Sequence, residues 1–304
     1  MRKNQIKRSA RRKFFKTFIT GSIGAVAGKE LYSTGTTNDA NGSDEKITAL
    51  SSDGKLIKVL KSQVEHMHHA PVTPSEARKG IPGKKFVLIV DLGKCRNARK
   101  CIEGCEKHHH LTPDRPFIKV LKMKDNPRSS YYWMPKKCFQ CDNPPCVKVC
   151  PVGATYKRTD NIVLIDNNRC IGCRFCMAAC PYSARVFNWG EPQPAEGYDK
   201  PYSPETSVPS KVGTVEKCDF CPDVLRENKL PPCITSCPNG VLYFGDANDD
   251  AVTNGEETVR LSELLREKAA YRYMEDLGTE PNVYYLPPVD RLFPFKDTNA
   301  ESNT

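Results

Sequence analysis

Residues 169–181 read RCIGCRFCMAACP. Cys170, Cys173, Cys176 and Cys180 follow the spacing C-x2-C-x2-C-x3-C, closed by Pro181. Three more groups surround them. The first is Cys95, Cys101 and Cys105; the second is Cys138, Cys141, Cys146 and Cys150, then Pro151; the fourth is Cys218, Cys221, Cys233 and Cys237, then Pro238. Together they account for all 15 cysteines of the chain.

The run at 170–181 has the spacing of bacterial ferredoxins. Three close thiolates on a tight loop wrap three corners of one iron–sulfur cube, and the fourth turns away along a helix start to a different cluster. The proline behind it fixes the chain direction. Zinc sites use C-x2-C pairs but not four-cysteine runs closed by C-P. No C-x-x-C is followed by His, so c-type haem attachment is excluded. A disulfide framework fits poorly, because 15 is odd and the chain of 304 residues is not small.

Exchange of the last cysteine makes the groups come in pairs. Groups two and three span 138–181, and ATYKRTDNIVLIDNNR between them reads as a hairpin around Asp160-Asn161. One cluster takes Cys138, Cys141, Cys146 and Cys180; the other takes Cys170, Cys173, Cys176 and Cys150. Groups one and four then pair across this insertion. One site takes Cys218, Cys221, Cys233 and Cys105, and the last has only Cys95, Cys101 and Cys237.

The remaining composition fits a protein of loops and sulfur. Hydrophobic content is 38% and there are 24 prolines. The formal charge of +10 is concentrated at the N-terminus: residues 1–27 carry eight Lys or Arg and no acid, which leaves 38 basic against 36 acidic residues. A nucleic-acid partner therefore loses its support. ARRKFFK (10–16) resembles the twin-arginine export motif, followed by a weakly apolar run and a small-x-small site at Ala25-Val26-Ala27; the competing reading is a basic amphipathic tail. That route carries folded, cofactor-loaded proteins, which suits a cysteine-rich chain. No other stretch reaches the ~20 apolar residues of a membrane span. Residues 28–46 read as a linker, 47–60 as a hairpin around Asp53-Gly54, and KFVLIVD (85–91) as a strand. His66, His68 and His69 read as surface side chains, and His108, His109 and His110 as facing a partner or solvent. Lys and Arg residues flanking the cysteines, Lys137 and Lys217 among them, read either as tuning cluster potentials or as ordinary surface.

The pattern resembles the four-cluster iron–sulfur subunits of molybdopterin oxidoreductases, of the formate dehydrogenase, dimethyl sulfoxide, polysulfide and tetrathionate reductase type. The residues that carry it are CFQCDNPPCVKVCPVGATYKR (138–158), RCIGCRFCMAACPYSARVF (169–187), KCDFCPDVLRENKLPPCITSCPNGVLYFGD (217–246) and LGTEPNVYYLPP (277–288). The resemblance covers about residues 85–288. It implies an α+β fold of two interleaved ferredoxin-like dicluster modules with small β-hairpins, short helices and long loops. A discontinuous module would use 85–137 and 182–288; the inserted module would be 138–181. A signal peptide (1–27), a linker with a small hairpin region (28–84) and a tail (289–304) complete the division. The implied job is non-catalytic: carrying electrons between a molybdopterin catalytic subunit and a membrane quinone-reactive or cytochrome subunit, on the periplasmic face of the membrane. The alternatives are the same wire serving a periplasmic hydrogenase or multihaem cytochrome complex, and, remotely, a zinc-stabilised interaction protein.

The family's first group carries a cysteine where this chain has Ala98. Spacing is otherwise kept, so the loop still suits a cluster, but alanine binds no iron. Three 4Fe-4S clusters and one 3Fe-4S cluster are the expected set. A 4Fe-4S cluster with a non-cysteine ligand at the open corner, or an empty site, are the other outcomes. The C-terminal membrane helix that some relatives have is missing from the sequence, so a separate subunit is expected to make the membrane contact. The Pro- and Ser-rich segment 182–216, with Trp189, Tyr198 and Tyr202, reads as a partner-binding loop or a spacer.

Overall fold

The structure is a computed structural model and describes residues 46–50, 56–60, 72–190, 202–208 and 210–288. The chain divides into two units, Met1–Ala70 with Glu227–Lys229, and Pro71–Arg226 with Leu230–Thr304. In the first, β1 (Lys46–Leu50) and β2 (Leu56–Leu60) pair antiparallel, with Lys46 opposite Leu60. This is the hairpin expected from 47–60. The expected signal peptide (1–27), the expected linker up to residue 45, His66, His68, His69, Tyr198 and the residues from 289 lie outside the described residues.

The second unit opens with α1 (Pro74–Lys79), which was not anticipated from sequence. Thr73 and Glu76 cap it reciprocally: the Thr73 hydroxyl accepts from the Glu76 N–H, and the Glu76 carboxylate accepts from the Thr73 N–H. Then come β3 (Phe86–Asp91), α2 (Lys100–His109), β4 (Lys119–Met123), β5 (Tyr132–Lys136), α3 (Pro145–Lys148), β6 (Thr155–Lys157), β7 (Val163–Ile165), α4 (Phe175–Ala178) and β8 (Arg185–Phe187). After these follow β9 (Val215–Lys217), α5 (Pro222–Arg226), α6 (Pro232–Thr235), β10 (Leu242–Asp246), β11 (Ala251–Thr253), β12 (Thr258–Arg260), α7 (Leu261–Glu267), β13 (Tyr271–Arg272) and β14 (Val283–Leu286). Short helices and small sheets make this an α+β fold, as expected.

One feature is larger than the expected hairpins. A six-stranded sheet runs β12-β11-β10-β3-β14-β13. β10 lies antiparallel to β3 and β14 parallel to it. β3 is apolar and buried from Phe86 to Val90, because both of its faces are covered. Successive side chains alternate across the sheet. Leu88, Val90, Leu242, Phe244, Val283 and Tyr285 face the core that holds the cysteines. Val87, Ile89, Tyr243 and Leu286 face the other way, against Leu261 at the start of α7. The motif FGD and the segment NVYYL thus supply the two strands that flank β3.

Two-stranded ribbons make up the rest. β6 and β7 are the hairpin expected around Asp160-Asn161, with Thr155 opposite Ile165 and Asn161 in the left-handed region at φ 70°. β8 pairs with β9 across the 182–216 connection. That connection is anchored where it is described: Glu205 is buried and its carboxylate accepts from Arg158 Nη1 at 2.5 Å and from Arg226 Nε at 2.7 Å. Tyr202 Oη accepts from the Asn167 N–H at 2.6 Å.

Candidate iron–sulfur sites

The cysteines converge on four cavities in the second unit. Cys138, Cys141, Cys146 and Cys180 line the first, with Tyr182 and Arg185. Cys150, Cys170, Cys173 and Cys176 line the second. Cys105, Cys218, Cys221 and Cys233 line the third, with His109, Lys137 and Phe220. Cys95, Cys101 and Cys237 line the fourth, with Ala98. Counting their open mouths, the cavities hold about 310 to 360 Å³ each. Each joins cysteines from two sequence groups, and these are the sets that the exchange of last cysteines leads one to expect. All fifteen thiols are free of disulfides.

Local backbone explains how the thiols reach inward. Each tight loop bends through residues at positive φ: Asn97 and Arg99 in group one, Gln140 in group two, Gly172 and Arg174 in group three, Phe220 and Cys221 in group four. Such conformations are unfavourable for side-chain-bearing residues and persist only where the surroundings hold them. At Gly172 the need for glycine is absolute, since φ is +70° and a Cβ would sit 2.2 Å from the Gly213 carbonyl oxygen. The third and fourth cavities rest on the crossing of α2 with α6. A Cβ on Gly104 would lie 2.4 Å from Ser236 Oγ and 3.0 Å from the Pro232 carbonyl oxygen. Glycine there lets the helix bearing Cys101 and Cys105 close on the helix bearing Cys233.

The donor set fits an iron–sulfur group. Burial, reinforced by neighbouring thiols, pushes Cys101 and Cys141 up to about 12. Burial raises Cys218 to about 12 as well, although the Lys137 ammonium pulls it down. Such thiols ionise only when a cation replaces the proton, which is what iron does. Cys150 goes the other way: burial raises it, but N–H groups of Thr155, Val152 and Ala154 outweigh burial and hold it below the usual thiol range. The Thr155 N–H lies 3.4 Å from its sulfur.

Two buried cations are set among the sulfurs. Lys137 Nζ lies 3.5 Å from Cys233 Sγ, and Lys137 is 5% exposed. Arg185, also 5% exposed, donates from Nη1 to Thr155 Oγ1 at 3.3 Å, while its Nη2 is buried without a hydrogen-bond partner. That orphaned donor calls for an anion, and a thiolate-bound cluster supplies one. Arg185 was not singled out from sequence; its place five residues beyond Cys180, inside ARVF, was the available signal. His109 departs from expectation too. It is buried, with Nε2 3.4 Å from Cys221 Sγ and 3.5 Å from Asp219 Oδ1. His108 sits half-buried beside Asp223, with Nε2 3.1 Å from its Oδ2.

Groups from different parts of the chain are tied into one core. Gln140 is fully buried; its Nε2 donates to the Cys218 carbonyl and its Oε1 accepts from the Val163 N–H, both at 2.8 Å. Phe139 packs on Tyr182, Tyr273 and Tyr285 with ring centroids 4.2, 6.0 and 6.1 Å apart.

A model for the 4Fe-4S dicluster domain matches residues 129–196. A selenate reductase subunit of Mesobacillus selenatarsenatis is 39% identical over 69% of this chain and 74% of its own length. The chain belongs to the iron–sulfur subunit family of the molybdopterin oxidoreductases. Two further relatives agree. The menaquinone reductase iron–sulfur cluster-binding subunit of Nitratidesulfovibrio vulgaris is 38% identical over 66% of this chain and 88% of its own. A tetrathionate reductase subunit of Salmonella typhimurium is 32% identical over 80% and 85%. This member of the family is an iron–sulfur electron-transfer subunit, and zinc stabilisation gives way as a reading. Among the described residues no helix is long and apolar enough to cross a membrane.

Proposed function

We propose that the chain is a four-site electron wire that performs no substrate chemistry itself. Three 4Fe-4S clusters occupy the sites of Cys138/Cys141/Cys146/Cys180, Cys150/Cys170/Cys173/Cys176 and Cys105/Cys218/Cys221/Cys233. A 3Fe-4S cluster occupies Cys95/Cys101/Cys237. The observation that carries this reading is the convergence of two sequence groups on every cavity, which is the ligand exchange of paired ferredoxin clusters. The ligand exchange also supports two interleaved modules, 138–181 inserted into 85–137 plus 182–288.

The clusters supply one-electron redox chemistry. The protein's part is to hold the thiolates, exclude water and set the charge around them. Apolar residues such as Phe220, Phe244 and Ile118 wall the third cavity, while Val163, Phe139 and Tyr182 wall the first. The second cavity differs: Cys173 is exposed, and Ile171, Phe175 and Trp189 stand out on the surface close by. Large apolar groups around an accessible ligand suit a protein partner. The relatives named for reductases support a molybdopterin catalytic subunit and a membrane quinone-reactive or cytochrome subunit as the two partners. The twin-arginine motif supports a place on the periplasmic or exoplasmic face of the membrane.

Anaerobic purification with metal and sulfide analysis tests the wire. The expected yield is about 15 irons per chain with matching acid-labile sulfide, and the EPR signal of an oxidised 3Fe-4S cluster. Zinc without acid-labile sulfide would overturn the proposal. Full iron loading without that EPR signal would overturn the 3Fe-4S assignment alone.

A further inference from the structure

The three consecutive histidines at the end of α2 go separate ways. His110 caps the helix in the left-handed region, at φ 52°. His108 turns to Asp223. His109 lies four residues beyond Cys105 on the same face of the helix, and it is carried with that cysteine into the third cavity. It is 4% exposed, with its ring against those of Phe117 and His108 at centroid distances of 5.3 and 4.8 Å. Among the described residues, a histidine walls this cavity and none walls the other three.

His109 Nε2 faces two groups, and both are acceptors. Cys221 Sγ is 3.4 Å away and Asp219 Oδ1 is 3.5 Å away. A cluster-bound thiolate has no proton to give, and the carboxylate oxygen already accepts from the Cys221 N–H at 2.8 Å. Nε2 therefore carries a proton, whatever the other ring nitrogen holds. Distance decides where that proton points. An N···O separation of 3.5 Å is too long for a hydrogen bond, whereas the larger sulfur atom is within bonding range at 3.4 Å. The loop beneath is fixed as well: Phe220 and Cys221 sit at φ 65° and 53°, held by the Asp219 turn on one side and His109 on the other.

We propose that His109 Nε2–H donates a fixed hydrogen bond to Cys221 Sγ, and that this bond raises the reduction potential of the cluster held by Cys105, Cys218, Cys221 and Cys233 while leaving the other three unchanged. The inference rests on the four-cluster reading. An added electron spreads negative charge onto the sulfurs of a cluster, and a donor aimed at one of them binds the reduced form more strongly than the oxidised form. All four cysteines of this site are buried, at 5% to 6% exposure, so water has no access to replace the bond, and the low dielectric strengthens it. The Asp219 carboxylate pushes the other way, since negative charge beside Cys221 opposes reduction. Removing the N–H leaves that carboxylate unopposed. His109 acts through Cys221 and is a positioning residue.

The test is an EPR-monitored redox titration of the full chain in its complex, with iron and sulfide measured on every sample and the histidine nitrogens isotope-labelled. In wild type, pulsed EPR should show a histidine nitrogen coupled to one reduced cluster only. His109→Leu, an apolar side chain of similar size, should abolish that coupling. It should also lower the reduced-to-oxidised ratio of the same cluster about tenfold at fixed ambient potential, a shift of about 59 mV for a one-electron couple. His109→Gln carries an amide N–H of similar reach and should restore most of the ratio without the labelled coupling. Fully loaded wild type with no coupled histidine nitrogen would overturn the bond. An unchanged midpoint in fully loaded His109→Leu would overturn its effect on the potential. Loss of that cluster's iron from His109→Leu would also overturn the proposal and make His109 a residue of assembly. If the wild-type chain itself carries no iron, the four-cluster reading fails instead.

Discussion

Ala98 takes the place in its loop that Cys173 takes in the third group. Both are three residues beyond the first cysteine, both are exposed, and each is flanked by residues at positive φ: Asn97 and Arg99 in one loop, Gly172 and Arg174 in the other. The loop with alanine at this place therefore has the same bend as the loop with cysteine, at a cost in backbone strain. Ala98→Cys should supply the missing thiolate without rearranging the backbone. The expected outcome is loss of the 3Fe-4S EPR signal and a gain of about one iron per chain; a variant that keeps the signal undiminished would contradict the geometric equivalence. The substitution was plain in the sequence because spacing survived it. The burial of His109 was not, since three consecutive histidines carry no periodic signal, and only the packing of α2 shows which of them turns inward.

Helix crossings set the spacing of the thiols. α2 and α6 meet at Gly104, and the contact has no room for a methyl group against Ser236 or the backbone of Pro232. Gly104→Ala should force the helices apart and cost about 1–3 kcal/mol. The measurement is the thermal midpoint together with iron content, which should fall in the proposed site of Cys105, Cys218, Cys221 and Cys233. A midpoint and iron content equal to wild type would show that the crossing has slack. From sequence, Gly104 was one more residue between two cysteines; its role depends on a partner helix 128 positions further on. The strand KFVLIVD, by contrast, was legible, because an unbroken apolar run of that length fits a strand buried on both faces. Its neighbours β10 and β14 were visible as motifs but not as strands of one sheet.

Across the whole molecule, Asp142 joins segments far apart in the chain. Its Oδ1 accepts from Lys157 Nζ at 2.6 Å and from Asn282 Nδ2 at 2.8 Å, and its Oδ2 accepts from Lys85 Nζ at 3.2 Å. Burial raises the Asp142 pKa, but the bonds from Lys157 and Asn282 and the charge of Lys157 outweigh it, and the net shift is downward from 3.8. A carboxylate whose pKa is depressed by folding adds stability that is present above its unfolded value and is lost as pH falls through its folded value. Wild type should therefore melt above Asp142→Asn at pH 7, and the gap should close below about pH 4. A gap that stays constant between those conditions would show that the carboxylate charge is not what holds these segments.

The sequence by itself determined the chemistry. Cysteine spacing is a local property, so the four groups, the alanine at the place of a cysteine in the first, the pairing of β1 with β2, the hairpin around Asp160-Asn161 and the family were all readable along the chain. Tertiary structure decided what surrounds each thiol. The six-stranded sheet, the Gly104 crossing, the inward turn of His109 and the burial of Lys137 and Arg185 against the cavities depend on residues brought together from distant positions. Burial and the partners it leaves to a charge are properties of the packed core, and no spacing along the chain encodes them.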